Sequence, residues 1–188
     1  MKLKLNLPLL FLLFFAFGYS QNNQKASTFE YVNFSSFSLS KNTESYFSKK
    51  SKEEFNRNDS FTLSINTIHG IKFFGIVALS TGISVDWNIN KTFLSAPIIY
   101  DIRVFSNRNN GENVFLFLQT GQNIRWKNLT YGNGFSSKFG IGVILEPYDD
   151  VTFYVDIHKK SKEIELDNFT NLGFYRLNGF GISIGAIF

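Results

Sequence analysis

The chain has 188 residues, enough for one domain with a full core, and carries a formal net charge of +4. It contains no cysteine, which excludes disulfides, a lipoprotein anchor and thiolate metal sites. Aromatic residues make up 18% of the sequence, but the lysines and arginines are scattered and form no basic stripe among them, which argues against a nucleic-acid partner.

The first twenty residues have the layout of a secretory signal peptide. Two early lysines precede an apolar run at residues 7–17, and Gly18 and Ser20 are small residues at the positions expected before a cleavage site. The apolar run is too short for a membrane helix, which needs about 20 residues, and no later segment is long and apolar enough. The sequence therefore divides into a signal peptide at 1–20, a flexible polar segment at 21–27 and a single domain at 28–188.

From residue 28 onward, the sequence alternates between segments with a hydrophobic period of two and polar segments. Because successive side chains of a strand point to opposite faces, this period predicts strands rather than helices. Eight strands are predicted, at residues 28–40, 61–72, 77–90, 94–105, 112–127, 134–146, 151–160 and 172–188. The intervening sequence predicts long polar loops at 41–60 and 161–171 and a tight turn at 73–75. Pro97 lacks an N–H and is expected at a strand start or a bulge.

The clearest strand is the third, at residues 77–90. Its odd-numbered side chains are almost all apolar and include Trp87, whereas the even-numbered ones are small or polar and include Asp86. The segment is much longer than an ordinary strand of about 5–6 residues. A strand that crosses a bilayer needs about 9–11 tilted residues, with an aromatic where the hydrocarbon ends. The same parity in the other strands predicts a lipid-facing set: Leu79, Ile83, Val85, Leu116, Leu118, Ile141, Val143, Phe153, Val155 and Ile184.

The connections between the predicted strands alternate in length, as they do in outer-membrane barrels with short periplasmic turns and longer extracellular loops. Strands joined only by turns and loops should pair with their sequence neighbours in antiparallel order. Trp87 and Trp126 then both lie at the extracellular ends of their strands, where an aromatic girdle is expected. The predicted fold is all-β: an eight-stranded antiparallel up-and-down transmembrane β-barrel, with both termini on the periplasmic side.

The opposite face of each predicted strand would line the barrel lumen, and it carries most of the strand charges. Because opposite charges are interleaved and eight strands leave an interior just wide enough for side chains, we expect a satisfied polar network rather than an open pore. Asp101 and Arg103 are expected to join Gln119 and Arg125 of the next strand. The predicted lumen network comprises Asp86, Asp101, Arg103, Gln119, Arg125, Lys138, Glu146, Asp156 and His158, with Lys160 on the same face.

One feature of the sequence would suit catalysis. Asp156 and His158 lie on the same face of one predicted strand, and a carboxylate can orient a histidine that acts as a base. Ser161, the nearest candidate nucleophile, falls on the other face of a regular strand, so the pattern favours a structural histidine. His69 has no clear partner near its turn and is also interpreted as structural. Two histidines without cysteine give no metal spacing. We therefore predict no catalytic residue, no cofactor and no metal, and a protein that is not an enzyme.

Several segments resemble the small outer-membrane β-barrel proteins common in Bacteroidetes. They are SFTLSINTIHGIKF (60–73), APIIYDIRVF (96–105), FLFLQTGQN (115–123) and KFGIGVIL (138–145). Pro97, Asp101 and Arg103 in the second segment match the family's Pro-x-x-x-Asp-x-Arg spacing. The family implies an outer-membrane location and an eight-stranded barrel, and it implies no established substrate.

The last predicted strand is similar to the C-terminal signal that the barrel assembly machinery reads. Its alternating positions are Phe180, Ile182, Ile184, Ala186 and Phe188. Ala186 departs from the pattern, because an aromatic residue often stands there. The resemblance therefore implies that the assembly machinery is a partner during biogenesis.

Together, these patterns predict a monomeric protein of the cell outer membrane with a structural or surface-interaction role. Its expected partners are membrane lipids, lipopolysaccharide and an extracellular molecule bound at the loops. Two alternatives are a small-solute channel or ligand carrier, and a lipid-modifying outer-membrane enzyme. Conductance would distinguish the first, and a mass change of lipid A that depends on His158 would distinguish the second.

Overall fold

The computed structural model describes residues 28–49, 52–56, 60–90, 93–106, 113–124, 131–145, 151–168 and 171–188. The predicted signal peptide and the flexible segment after it lie outside these residues. The described residues form ten strands: β1 (Phe29–Lys49), β2 (Lys52–Asn56), β3 (Ser60–Phe73), β4 (Val77–Asn88), β5 (Phe93–Ser95), β6 (Pro97–Phe105), β7 (Asn113–Asn123), β8 (Tyr131–Ile144), β9 (Thr152–Asn168) and β10 (Asn171–Ile187). They include no helix long and apolar enough to cross a membrane.

Eight of these strands close into a barrel. The hydrogen-bonded order is β1, β3, β4, β6, β7, β8, β9 and β10, every pairing is antiparallel, and β10 pairs with β1 to complete the ring. The short strands β2 and β5 add to β1 and β4 at the positions where β3 and β6 stop. The predicted eight-stranded antiparallel up-and-down barrel is therefore confirmed.

Two segments that the sequence assigned to loops are largely strand, and those predictions were wrong. Residues 41–60 contain the end of β1 and all of β2, and residues 161–168 continue β9. The outer parts of β1 and β9 both pair with β10, so their backbone groups are satisfied by a neighbouring strand. Polar side chains at these positions hide the period of two, and the pairing, not the side-chain pattern, determines where each strand ends.

One end of the barrel carries a tight turn at residues 74–76 between β3 and β4, where the sequence predicts a tight turn at 73–75. Phe74 and Gly75 have φ values of 52° and 70°, and Ile76 N donates to Phe73 O at 2.9 Å. Two successive positive φ angles match the twist of a hairpin. This end also holds residues 28 and 188, and we call it the turn end. The opposite end is the loop end. Pro97 begins β6, as predicted.

Large aromatic side chains fill the lumen towards the turn end. Phe34, Phe105, Phe115, Phe117 and Tyr154 are all buried inside the barrel, and we call these five residues the aromatic plug. Phe115 meets Phe105 at 5.7 Å and Tyr154 at 5.5 Å between ring centroids. The plug fits because glycines stand opposite it: a methyl group at position 142 would overlap the ring of Phe115.

The outer surface of the barrel is apolar and exposed. The structure places all ten residues of the predicted lipid-facing set outward, with exposures such as 51% for Ile83 and 61% for Ile184. The inward side chains of the same strands are buried, as the alternating burial of β6 and β7 records. The barrel therefore buries most of its charged strand residues inside and exposes large apolar side chains outside, the reverse of a water-soluble protein.

Candidate functional site

Three buried aspartates on three strands organise the polar part of the lumen. They are Asp86 on β4, Asp101 on β6 and Asp156 on β9, and each is at most 3% exposed. Each accepts hydrogen bonds or ion pairs from other strands, and those of Asp86 come from β9 across the lumen, so the barrel wall is cross-linked through its interior. The charged side chains of this interior, as far as the structure describes it, are Lys72, Asp86, Asp101, Arg103, Lys138, Asp156, Lys160 and Lys162.

The Asp86 cluster lies towards the loop end and contains two lysines for one carboxylate. Lys160 Nζ and Lys162 Nζ lie 3.0 Å and 2.6 Å from Asp86 Oδ2, and Ser84 Oγ donates to Oδ1 at 2.8 Å. Lys160 also donates to Ser64 Oγ at 2.8 Å, and Lys162 donates to Ser95 Oγ. Side chains from β3, β4, β5 and β9 are therefore linked through one buried carboxylate and its two lysines.

The Asp101 cluster joins the polar network to the aromatic plug. Arg103 Nε donates to Asp101 Oδ1 at 3.0 Å, and Gln119 Nε2 donates to Oδ2 at 2.7 Å. The Arg103 guanidinium is fully buried and lies 4.0 Å from the centroid of Phe34 and 5.1 Å from that of Tyr154. A guanidinium among ring faces gains cation–π attraction. The Arg103 guanidinium thus lies between rings of the aromatic plug.

The Asp156 cluster contains the histidine that the sequence singled out. His158 Nδ1 lies 2.8 Å from Asp156 Oδ1, and His158 Nε2 lies 3.1 Å from Ser40 Oγ on β1. Ser183 Oγ also donates to Asp156 Oδ1 at 2.9 Å, and it accepts a bond of 2.9 Å from Lys138 Nζ. The order serine, histidine, aspartate is that of a nucleophile, its base and the group that orients the base.

Access to this serine is restricted. Ser40 is completely buried, and His158 is 4% exposed. A cavity of about 10 Å³ in the polar part of the lumen, lined by Ser38, Asp86 and Lys138 among others, has room for about one water molecule. The described residues contain no group of three or more histidine or carboxylate side chains that could hold a metal ion.

The structure places most of the predicted lumen residues together. Asp86, Asp101, Arg103, Gln119, Lys138, Asp156 and His158 are all buried in the lumen. Gln119 joins Asp101 as expected, while its expected partner Arg125 lies outside the described residues, as do Glu146 and Trp126. Trp87 is outward and 49% exposed near the loop end of β4.

The predicted C-terminal signal lies on the outside of β10. Phe180, Ile182, Ile184 and Phe188 are exposed, and Ala186 is half-buried. The backbone of Phe188 exchanges two hydrogen bonds with Asn33, at 3.0 Å and 3.1 Å. The last residue therefore takes part in the pairing that closes the barrel.

Sequence reasoning did not include several members of the lumen network, and Lys162 and Ser40 are the two that bear on its charge and its chemistry. Lys162 was assigned to a loop, although it continues the inward series of His158 and Lys160. Ser40 was not considered as a partner of His158, although it is the last inward residue of the first predicted strand. Ser161, which the sequence excluded, does point outward and donates to Asn178 at 2.7 Å. The alternation of inward and outward positions assigns both Lys162 and Ser40 to the lumen. Only the pairing of β10 with β1 brings Ser40 to His158.

Comparisons with known proteins add little to this description. No protein family and no curated protein matches the chain. The fold is similar to the crystal structure of Neisserial surface protein A (NspA), with 12% sequence identity and a TM-score of 0.45, over 86% of this chain and 99% of that chain. This likeness carries no functional argument, and the barrel is established by the strand pairing of the chain itself. The resemblance to the Bacteroidetes barrels stays a prediction.

Proposed function

We propose that this protein is an integral β-barrel of the outer membrane, closed to solutes, with a structural or surface-interaction role. The observation that carries the proposal is the reversal of polarity across the barrel wall. Aliphatic side chains such as Ile83 and Leu118 are half exposed around the outside, while three aspartates and their cations are buried inside. An outer face that is largely apolar around the whole barrel is unfavourable in water and favourable in lipid.

Depth-dependent substitution tests whether this face lies in a bilayer. Ile83→Arg puts a charge near the middle of the outer face and should cost about 2–4 kcal/mol of folding free energy in lipid vesicles. Ile89→Arg, on the same face near the loop end, is the matched control and should cost about 0–1 kcal/mol. Equal costs for the two variants, or normal folding of both in detergent-free buffer, would contradict a membrane location.

Cellular fractionation tests the compartment and the export signal. The protein should be recovered in the outer-membrane fraction without residues 1–20, and its unheated band should migrate faster than its heated band on a gel. Removing Phe188 takes away two backbone hydrogen bonds at the barrel seam, and we expect it to reduce the folded fraction during assembly. A cytoplasmic, unprocessed protein would overturn the proposal.

The closed state is supported by the contents of the lumen. The aromatic plug fills the turn end, and the Arg103 guanidinium lies among its rings. Purified protein in planar bilayers should therefore show no steady conductance. Uniform, long-lived channels would favour the alternative of a small-solute channel. If the lumen does not conduct, the outer surface and the loops are the parts of the protein that would bind lipopolysaccharide and an extracellular molecule.

A second candidate function rests on the Ser40–His158–Asp156 chain, which would suit a lipid-modifying hydrolase if a substrate could reach the serine. A fluorophosphonate probe reacts with serines that a histidine activates. Because Ser40 is fully buried, we expect no labelling of the folded protein and no change in the mass of lipid A on expression. Labelling of Ser40 that disappears in His158→Gln, with Ser161→Ala as the unaffected control, would replace the structural proposal with the enzymatic one.

A further inference from the structure

Five adjacent polar residues interrupt the apolar outer surface on β1, β3 and β4. Asn33 and Ser35 on β1, Thr67 and His69 on β3, and Thr81 on β4 all belong to the outward series of their strands. They are adjacent across the sheet, since Asn33 pairs with His69, Ser35 with Thr67, and His69 with Thr81. We call these five residues the outer polar patch. The sequence alone gave His69 no partner, because the patch exists only when three strands are paired.

The outer polar patch extends from the middle of the apolar band towards the turn end, where Asn33 pairs with Phe188. Thr67 stands midway between Phe61 and Phe73, the aromatic residues at the two ends of the outward face of β3. Six residues along a strand tilted by about 35–45° correspond to a depth of about 15 Å. Neither the headgroups nor bulk water reach that depth. A polar group there needs a partner within the hydrocarbon.

Hydrogen bonds within the patch hold it in one arrangement. His69 Nδ1 lies 2.6 Å from Tyr31 Oη and 2.9 Å from Asn33 Nδ2, and Ser35 Oγ donates to Asn33 Oδ1 at 2.8 Å. Ser35 and Thr67 are 3.4 Å apart. His69 remains exposed, and histidine, asparagine and threonine side chains can each both donate and accept hydrogen bonds. The Thr81 hydroxyl donates to the carbonyl of Ile99 at 3.0 Å. The patch is thus pre-organised by its own hydrogen bonds, and its polar side chains lie on the outer surface.

We propose that a second copy of this chain covers the outer polar patch within the membrane, through a two-fold contact of the β1–β3–β4 faces. The proposal rests on the membrane location proposed above. A copy related by a two-fold axis along the membrane normal brings its own patch to the same depth, and a patch with both donors and acceptors is self-complementary. Small side chains in one row, Ala186, Ser35 and Thr67, let the two barrels approach closely, as small residues do between membrane helices.

This assignment differs from the monomer expected from the sequence. An occupant of the whole patch has to present hydrogen-bonding groups from the turn end of the apolar band to a depth of about 15 Å at Thr67. Acyl chains do not offer such groups. A different membrane protein would also need a polar surface at this same depth and is one outcome of the test. The second copy meets the requirement with residues already described.

Cysteine cross-linking tests the contact, because the chain contains no native cysteine. Thr67→Cys is compared with Leu118→Cys, an outward position on β7 on a remote part of the barrel wall. In vesicles of purified protein at low protein-to-lipid ratio, mild oxidation should yield roughly tenfold more disulfide-linked dimer from Thr67→Cys, in line with the strength of polar contacts between membrane segments.

Two further variants test whether cross-linking depends on the polar residues of the patch or only on random encounters between barrels. In the Thr67→Cys background, Asn33→Leu/His69→Leu should reduce cross-linking to the Leu118→Cys level, while His69→Gln should preserve it. The heat-modifiable band reports folding of every variant. Equal cross-linking at both positions, or cross-linking that survives loss of both polar residues, would overturn the inference, as would a dimer seen only with other membrane proteins present. Absence of a dimer in protein that inserts normally would overturn the inference and leave the membrane location intact, whereas failure to insert would overturn both.

Discussion

The Asp86 cluster offers the sharpest test of how the lumen stabilises the barrel, since one carboxylate there holds two ammonium groups. At 3.0 Å and 2.6 Å, each attraction amounts to about 5–6 kcal/mol for an effective dielectric constant near 20. The lysines are at most about 6 Å apart, because both lie within 3.0 Å of the same oxygen, so they repel each other by about 3 kcal/mol or more.

Removing the carboxylate and removing one of the lysines should therefore have very different effects on the free energy of unfolding. Asp86→Asn removes both attractions and leaves two buried ammonium groups that repel each other, and we expect it to lower the free energy of unfolding by about 3–5 kcal/mol. Lys160→Met removes one attraction, but it also removes the repulsion and the desolvation cost of one ammonium, which is several kcal/mol. We expect the net change to be within about 1 kcal/mol of zero.

Urea unfolding in lipid vesicles measures both changes, with the fast-migrating gel band and tryptophan fluorescence as independent reports of the folded fraction. Lys160→Met keeps the length of the side chain, so it serves as the matched control for packing. Asp86→Asn/Lys160→Met should recover part of the loss caused by Asp86→Asn, because only one ammonium then lacks its carboxylate. If Lys160→Met destabilises the barrel as much as Asp86→Asn does, the charge imbalance inferred for this cluster is wrong.

Three other predictions follow from contacts in the lumen and at the turn. Asp101→Ala should cost about 3–5 kcal/mol in urea unfolding, and Asp101→Ala/Arg103→Met should cost less, because the double change leaves no unpaired guanidinium; additive losses would argue against coupling. Gly75→Ala should cost about 1–2 kcal/mol in the same assay, since Gly75 has a φ of 70°. Gly185→Ala should cost about 1–3 kcal/mol, because a methyl group would overlap the Tyr154 ring, and Tyr154→Leu in the same chain should remove most of that penalty.

The period of two was sufficient to predict which side of the wall each strand residue faces. Ile83 and Leu118 are outside and Asp86 and Gln119 are inside, because alternation is a local property of an extended backbone. The period of two does not predict where a strand ends once the strand extends beyond the apolar band. The outer half of β9 carries polar residues on both faces. The alternation places Lys162 on the same face as Lys160, but no contrast between an apolar and a polar face marks this segment as a strand.

The contacts inside the lumen were harder to predict than its lining. Phe115 and Phe117 were assigned inward, but the pattern did not reveal that they would meet Phe34 and Tyr154 in a plug. Ser40 and His158 are 118 positions apart, and their contact depends on how β1 and β10 are staggered when the barrel closes. Stagger is a property of the whole ring, so no single strand carries the information.

The composition of the lumen limits where this protein can act. Asp86, Asp101 and Asp156 each engage at least one cation, and the plug occupies the turn end. Moving a ligand through this interior would separate buried ion pairs, and each pair broken costs about 3–5 kcal/mol. The described lumen is therefore suited to holding the wall together rather than to binding. The outer polar patch, in contrast, lies outside the wall, where a contact with another molecule would leave the buried ion pairs in place.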